Sequence, residues 1–414
     1  MCVQNDAISA NEATSQKMTS LEAMRGIASI VVLFHHFCLA FLPWLKGPYP
    51  EGLSETPFAW IMRGESAVVF FFVLSGFVLA LKFYQRPDYG SLLVSAVKRL
   101  PRLMGPAAVA IICGFLILRF HLNYNEQAAT ITGSEWLRTF GNSHFPQDFT
   151  PTLPSAVEQF LLVFLLHDNF WYNSNLWTMT LEYYGSLCVF LVCGLTMPRS
   201  IAVRHVLTLG AVFIVWKIAY SLLPFVIGAY LALVFAWIGR KATANVWIGA
   251  AIGLSSVMML CSLEKSWQIA GSVGLMICLI YCPRLARPLS GEFGRLLGRF
   301  SFPLYLVHFL VIVSVSSYGF NSIYVWTESY TASVAAAGII TLLLSIAAAV
   351  PLLIFDERWV ALVNASFARL VRKCTAMARG CLAGSRTFHR PACESPIGGS
   401  NCDVSSPSSD LKAG

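Results

Sequence analysis

Charge is what this sequence has least of. Of its 414 residues only 12% are Asp, Glu, Lys or Arg, against 56% hydrophobic. Soluble domains carry about 25% charged residues, so a soluble globular fold is excluded, and a mean hydropathy of +0.64 agrees. Zinc-like cysteine spacing is also missing. Cys38, Cys113, Cys188 and Cys193 stand in apolar runs, where a thiol behaves as a small hydrophobe, and Cys374, Cys381, Cys393 and Cys402 are scattered near the end. No metal site is expected. No A-x-A-like cleavage site follows the polar first 20 residues, so no cleavable signal is expected. No internal repeat is visible, which argues against an inverted-repeat transporter. The net charge of +8 does not indicate nucleic-acid binding, because the cations sit between apolar runs.

What the chain does have is apolar windows of membrane-crossing length. They fall at about 26–43, 65–82, 104–121, 177–197, 205–220, 222–238, 246–262, 267–282, 302–320 and 332–355. The expected fold is an all-α polytopic integral membrane protein with about ten transmembrane helices. Placing both termini in the cytoplasm puts Lys98, Arg99, Arg102, Arg204, Arg240 and Arg284 on the positive side and leaves isolated cations such as Lys46 and Arg63 opposite. Residues 1–20 are then a polar cytoplasmic tail, 21–360 the membrane domain, and 361–414 a basic, then Ser/Gly/Pro-rich cytoplasmic tail expected to be disordered. A window at 156–167 is too short to span. It lies in a long external stretch, about 122–176, which contains His144, His167 and Asp168 and is suited to lining an acceptor entrance.

Ionisable residues inside apolar windows are functional candidates by default. Arg25 and His36 are eleven positions apart, about three helical turns, so they share one face roughly 16 Å apart. His35 points about 100° away and is the weaker candidate. A positive-inside anchor and a core histidine are the plain alternatives for the pair. Ser75-Gly76 in FFFVLSGF permits close helix approach, and packing alone accounts for it. Arg99 and Arg102 share a face that suits a nucleotide-containing donor, lipid headgroups or simple anchoring. Glu182, with Thr178 one turn before it, needs a partner to stay ionised, and His36 and Arg25 are the suspects. Tyr305 and His308 are three apart and face together, placed to bind a ligand or to bond a neighbouring helix.

In order, the segments LEAMRGIASIVVLFHH, FFFVLSGF, KRLPRL, LWTMTLE and FSFPLYLVH resemble the acyltransferase 3 family over about 20–357. The resemblance implies transfer of an acyl group, usually acetyl from acetyl-CoA, to a hydroxyl of a glycan or glycolipid. It implies that His36 and Arg25 are essential and that Glu182 and Ser75-Gly76 lie at or near the active site. The sequence departs from the family pattern at Val69, where many members have Asp, and at Thr178, Tyr183 and Phe302.

The expected catalytic set is therefore His36 as general base, Arg25, Glu182 and His35, the last a lesser candidate, with Arg25, Arg99 and Arg102 expected to take the donor phosphates. Arg99, Arg102, Ser75, Gly76, Trp177, Thr178, Tyr305 and His308 are the expected substrate-binding set. Glu182 is expected to orient His36, as a carboxylate does in hydrolase triads. Acetyl-CoA or another acyl-CoA is expected as co-substrate, with no tightly bound cofactor. The expected partners are that donor, the glycan acceptor and the lipid bilayer, which is the cell (inner) membrane if the source is bacterial. Two rival readings remain: a proton-coupled transporter or flippase using Arg25, His36 and Glu182, and a non-catalytic scaffold built on the long external loop.

Overall fold

A computed structural model of the chain describes residues 2–46, 56, 59–143, 145–146, 149–166, 170–239 and 243–387, with side chains from 19 to 373. Every regular element among the described residues is helical. Four helices open the chain: α1 (Cys2–Phe41), α2 (Gly64–Gln85), α3 (Tyr89–Arg119) and the short α4 (Asn125–Thr132). They are followed by α5 (Glu135–Arg138), α6 (Leu153–Leu162), α7 (Trp177–Thr196), α8 (Ile201–Ile218) and α9 (Leu223–Ile238). Then come α10 (Val246–Leu260), α11 (Lys265–Tyr281), α12 (Pro283–Ala286), α13 (Glu292–Val311), α14 (Ser317–Thr327) and α15 (Tyr330–Thr387).

Each of the ten apolar windows lies on a helix. Eight helical segments among the described residues are long and apolar enough to cross a membrane, or up to nine if a bent pair counts as one. In that pair α11 and the segment after it meet at 97°. Pro283 opens the second piece and holds Cys282 out of helical geometry (φ −116°, ψ 84°), as a residue before proline generally is. The remaining window, α10, has 15 residues, a rise of about 22 Å against roughly 30 Å of hydrocarbon. The chain is an all-α polytopic membrane protein.

Met1–Asn364 form one compact unit, and Ala365–Gly414 a second. In the second, helical backbone continues to Thr387. The Ser/Gly/Pro-rich tail beyond it lies outside the described residues, as do His144, His167 and Asp168.

The interior of the first unit is built on α2, whose LSGF run packs against α9. A Cβ on Gly76 would stand 2.0 Å from the Phe225 carbonyl oxygen, and one on Gly228 2.0 Å from that of Val73. The two backbones touch because both glycines lack a side chain, the close-approach packing of small residues in membrane helices. Phe72 stacks on Phe225 at 4.6 Å in the same seam. Val69, where the family often has Asp, is buried with Leu223 and Ile269, an environment with no place for a carboxylate. Helices α1 and α13 also pack together, through Gly26 and Gly298.

Candidate active site

Helices α1, α2, α7 and α13 each contribute to the walls of two cavities. The first, of about 260 Å³, is lined by Arg25, Ser75, Arg99, Arg102, Thr178 and Glu182. The second, of about 350 Å³, is lined by His35, His36, Trp136, Asn175 and Trp177. Each helix runs from one cavity to the other: α1 from Arg25 to His36, α2 from Glu65 to Ser75, α7 from Trp177 to Glu182. On α13, Ser301 lines the first cavity. The three-turn spacing of Arg25 and His36 thus does not converge on one spot. It places one residue in each cavity.

His36 is held by its ring. It stacks between Trp136 (centroids 5.0 Å, planes 21° apart) and His308 (5.1 Å, 19°). His308 is fully buried. Its Nδ1 bonds the Leu304 carbonyl at 2.8 Å, and a carbonyl only accepts, so the proton is on Nδ1. In the neutral ring Nε2 is then the acceptor, and it faces His36 Nδ1 at 2.9 Å. That nitrogen must therefore donate, which leaves Nε2 of His36 with the lone pair. The network assigns both tautomers, and His308 sets the second one. His308 is absent from the lining of either cavity; its contacts are with His36, Asn175 and the Leu304 carbonyl, the helix-to-helix bonding that was the alternative to a ligand contact.

Asn175 buttresses the same cluster. Its Nδ2 donates to the Tyr305 carbonyl at 2.8 Å and lies 3.4 Å from His308 Nε2. His35 bonds the Met62 carbonyl through Nδ1 at 2.5 Å and reaches the cavity beside His36.

Part of the stretch between α3 and α7 lines this cavity. Trp136 sits on α5, which Ser134 caps by accepting from the Leu137 N–H. Phe140, Gly141 and Asn142 follow with φ of 52°, 74° and 59°, three successive left-handed residues. Such geometry is costly outside glycine and persists where the surroundings impose it. At Gly141 a Cβ would meet Ser174 Oγ and the Phe309 ring at 2.5 Å.

In the other cavity Glu182 takes a different partner from those suspected. Its Oε1 forms an ion pair with the Arg99 guanidinium and accepts from Ser75 Oγ at 2.9 Å. Arg99 also donates through Nε to Ser186 Oγ at 2.8 Å. Glu182 lines this cavity and is absent from the lining of the one holding His36; its described partners are Arg99 and Ser75. Ser75 reaches the cavity, whereas Gly76 faces α9 and serves packing.

Arg25 donates through Nε to Ser301 Oγ and through a terminal nitrogen to the Gly298 carbonyl, both at 2.9 Å. These acceptors are neutral, so the charge of Arg25 is not cancelled by them. Arg102 is exposed at the rim. Glu22 and Asp356 line the cavity too, so it is mixed in charge, with guanidinium N–H groups available for a bidentate anion.

Sequence reasoning singled out neither Trp136, Ser186 nor Asp356. Trp136 sits in a polar four-residue helix with no periodicity to mark it. Ser186 was accessible to it, one turn after Glu182 on the same face.

A family model described as an acyltransferase domain matches residues 18–350. Neither a curated protein nor a solved structure matches the chain. The matched span takes in every described residue lining the two cavities except Asp356. This protein belongs to the acyltransferase 3 family and is a membrane acyltransferase.

Proposed function

We propose that the protein transfers an acyl group, acetyl from acetyl-CoA, to a hydroxyl of a glycan or glycolipid, with His36 as general base. The observation that carries this reading is the placement of Arg25 and His36 on one helix, each lining a different cavity. A donor with phosphates at one end and a thioester at the other fits that span, about 16 Å along α1.

In this reading Arg25 and Arg102 take the donor phosphates on the cytoplasmic side, and the pantetheine arm runs along α1. The acceptor hydroxyl binds beside His36. Trp136 and Trp177 offer flat apolar faces there, and Asn142, Ser174 and Asn175 are polar, a mixture suited to a sugar ring. His36 Nε2 removes the hydroxyl proton as the oxygen attacks the thioester carbonyl. The carbon–sulfur bond then breaks, the imidazolium returns its proton to the leaving thiolate, and the ester and free thiol depart. His308 holds His36 in the tautomer this needs. Arg99 is committed to Glu182, so the pair shapes the cavity wall and presents Ser75.

The test is donor turnover by purified protein. Wild type supplied with acetyl-CoA and a panel of glycan acceptors releases free CoA thiol. His36→Ala, shown folded by its melting profile, loses about 10²–10⁴-fold in rate, the usual contribution of a general base. Equal rates in the two proteins would remove His36 from the chemistry.

A further inference from the structure

The two cavities are separate in this structure, and among the residues lining them only Val68 and Tyr305 belong to both. Val68 comes from α2 and Tyr305 from α13. The phenol is fixed: its hydroxyl donates to the Asn175 carbonyl at 2.9 Å and lies 3.0 Å from Thr178 Oγ1. Thr178 bonds the same carbonyl at 3.1 Å, so both hydroxyls are tied to the start of α7. The Tyr305 ring meets Phe71 edge-on at 6.2 Å. Val68 is β-branched and buried, with one strongly preferred helical rotamer. Two stiff side chains therefore stand where the cavities meet.

This bears on the reaction read above and rests on that reading. A donor held by its phosphates near Arg25 sends its acyl end first toward His36, and the acyl group meets this pair before it meets the base. We propose that Val68 and Tyr305 form a constriction that selects the acyl group by cross-section, passing unbranched chains and rejecting those branched next to the carbonyl. Length is limited less, because a cavity of about 350 Å³ lies beyond the pair. The hydrogen bonds of Tyr305 matter because they keep the ring from swinging aside for a wider group.

The experiment compares butyryl-CoA with isobutyryl-CoA, two donors of equal carbon count, alongside acetyl-CoA. Thiol release is followed for wild type, Val68→Ala and Tyr305→Phe in detergent with one fixed acceptor. Wild type is expected to favour butyryl over isobutyryl by at least about tenfold in kcat/KM, within the range one misplaced methyl group commands in a tight pocket. Val68→Ala widens the passage and Tyr305→Phe frees the ring, so each lowers that ratio several-fold. The ratio is internal to each preparation, so a variant that is partly misfolded lowers both rates and leaves it unchanged. Should one variant yield no folded protein, the other and the narrowing variant Val68→Ile, which raises the ratio, decide the matter.

An unaltered ratio in folded variants would overturn the constriction while leaving the acyltransferase reading intact. Wild type that refuses butyryl as firmly as isobutyryl would overturn it as well, since length would then be the criterion. No thiol release by wild type from any of the three donors would overturn both readings together.

Discussion

His36 shows how far a single residue can be read from its position in a chain. Its helical spacing from Arg25 marked it as a candidate, because an imidazole in an apolar window is costly and needs a reason to be there. Its partner was not legible, since His308 lies 272 positions later and only the packing of α1 on α13 brings the rings together. The tautomer relay gives a discriminating outcome. Gln at 308 can still accept from His36 Nδ1, whereas Leu cannot. His308→Leu is expected to lose about 10²-fold or more in kcat, as when a histidine's orienting partner is removed, with KM for the donor little changed. His308→Gln is expected to recover part of that loss in the same steady-state assay. A purely structural role would make both variants lose folded protein in proportion to lost rate.

The same scale holds the Arg99–Glu182 pair, whose side chains are 10% and 14% exposed. Removing one member of a buried pair leaves an uncompensated charge and costs about 3–5 kcal/mol, whereas replacing both by apolar groups is often neutral. Glu182→Leu and Arg99→Met should each lower the melting temperature in detergent, and the double variant should melt nearer to wild type than either single one. Additive losses in the double variant would mean that the pair is not the unit described here.

Among the elements, the apolar windows predicted the helices well because each run is long and bounded by polar or proline-containing segments. The windows did not reveal bends or contacts. Pro283 makes α11 and α12 turn by 97°, and a proline near a helix end reads equally well as a start or a break. FFFVLSGF was legible as a packing motif, yet its two small residues divide their roles: Ser75 serves the cavity and Gly76 the α2–α9 seam. Gly76→Ala forces these two backbones apart and is expected to destabilise by about 1–3 kcal/mol or more, as overpacking does. Gly194→Ala on α7 is the control. Its nearest neighbour would be 3.6 Å from the new Cβ, an ordinary contact, and replacing a helical glycine by alanine there should stabilise by roughly 0.5–1 kcal/mol. Thermal unfolding of the two variants side by side reads the difference.

Across the whole molecule, the division into two cavities is the feature that sequence could not supply. Arg25 and His36 on one face suggested an anion end and a proton-transfer end about 16 Å apart, with Glu182 suspected as a partner of either. The fold instead groups Arg25, Arg99, Arg102 and Glu182 around one cavity and His36 and His35 around the other, with helices α1, α2, α7 and α13 serving both. This arrangement suits the proposed reaction, in which donor and acceptor meet the bundle at different cavities.

The most direct test of that account uses protein reconstituted in one orientation into sealed vesicles, with acetyl-CoA on one face and the glycan acceptor on the other. Wild type should acylate the acceptor only when the donor is on the face that carries Arg102, and His36→Ala should acylate it from neither. Acylation with donor and acceptor confined together to the opposite face, or at wild-type rate without the imidazole, would contradict it.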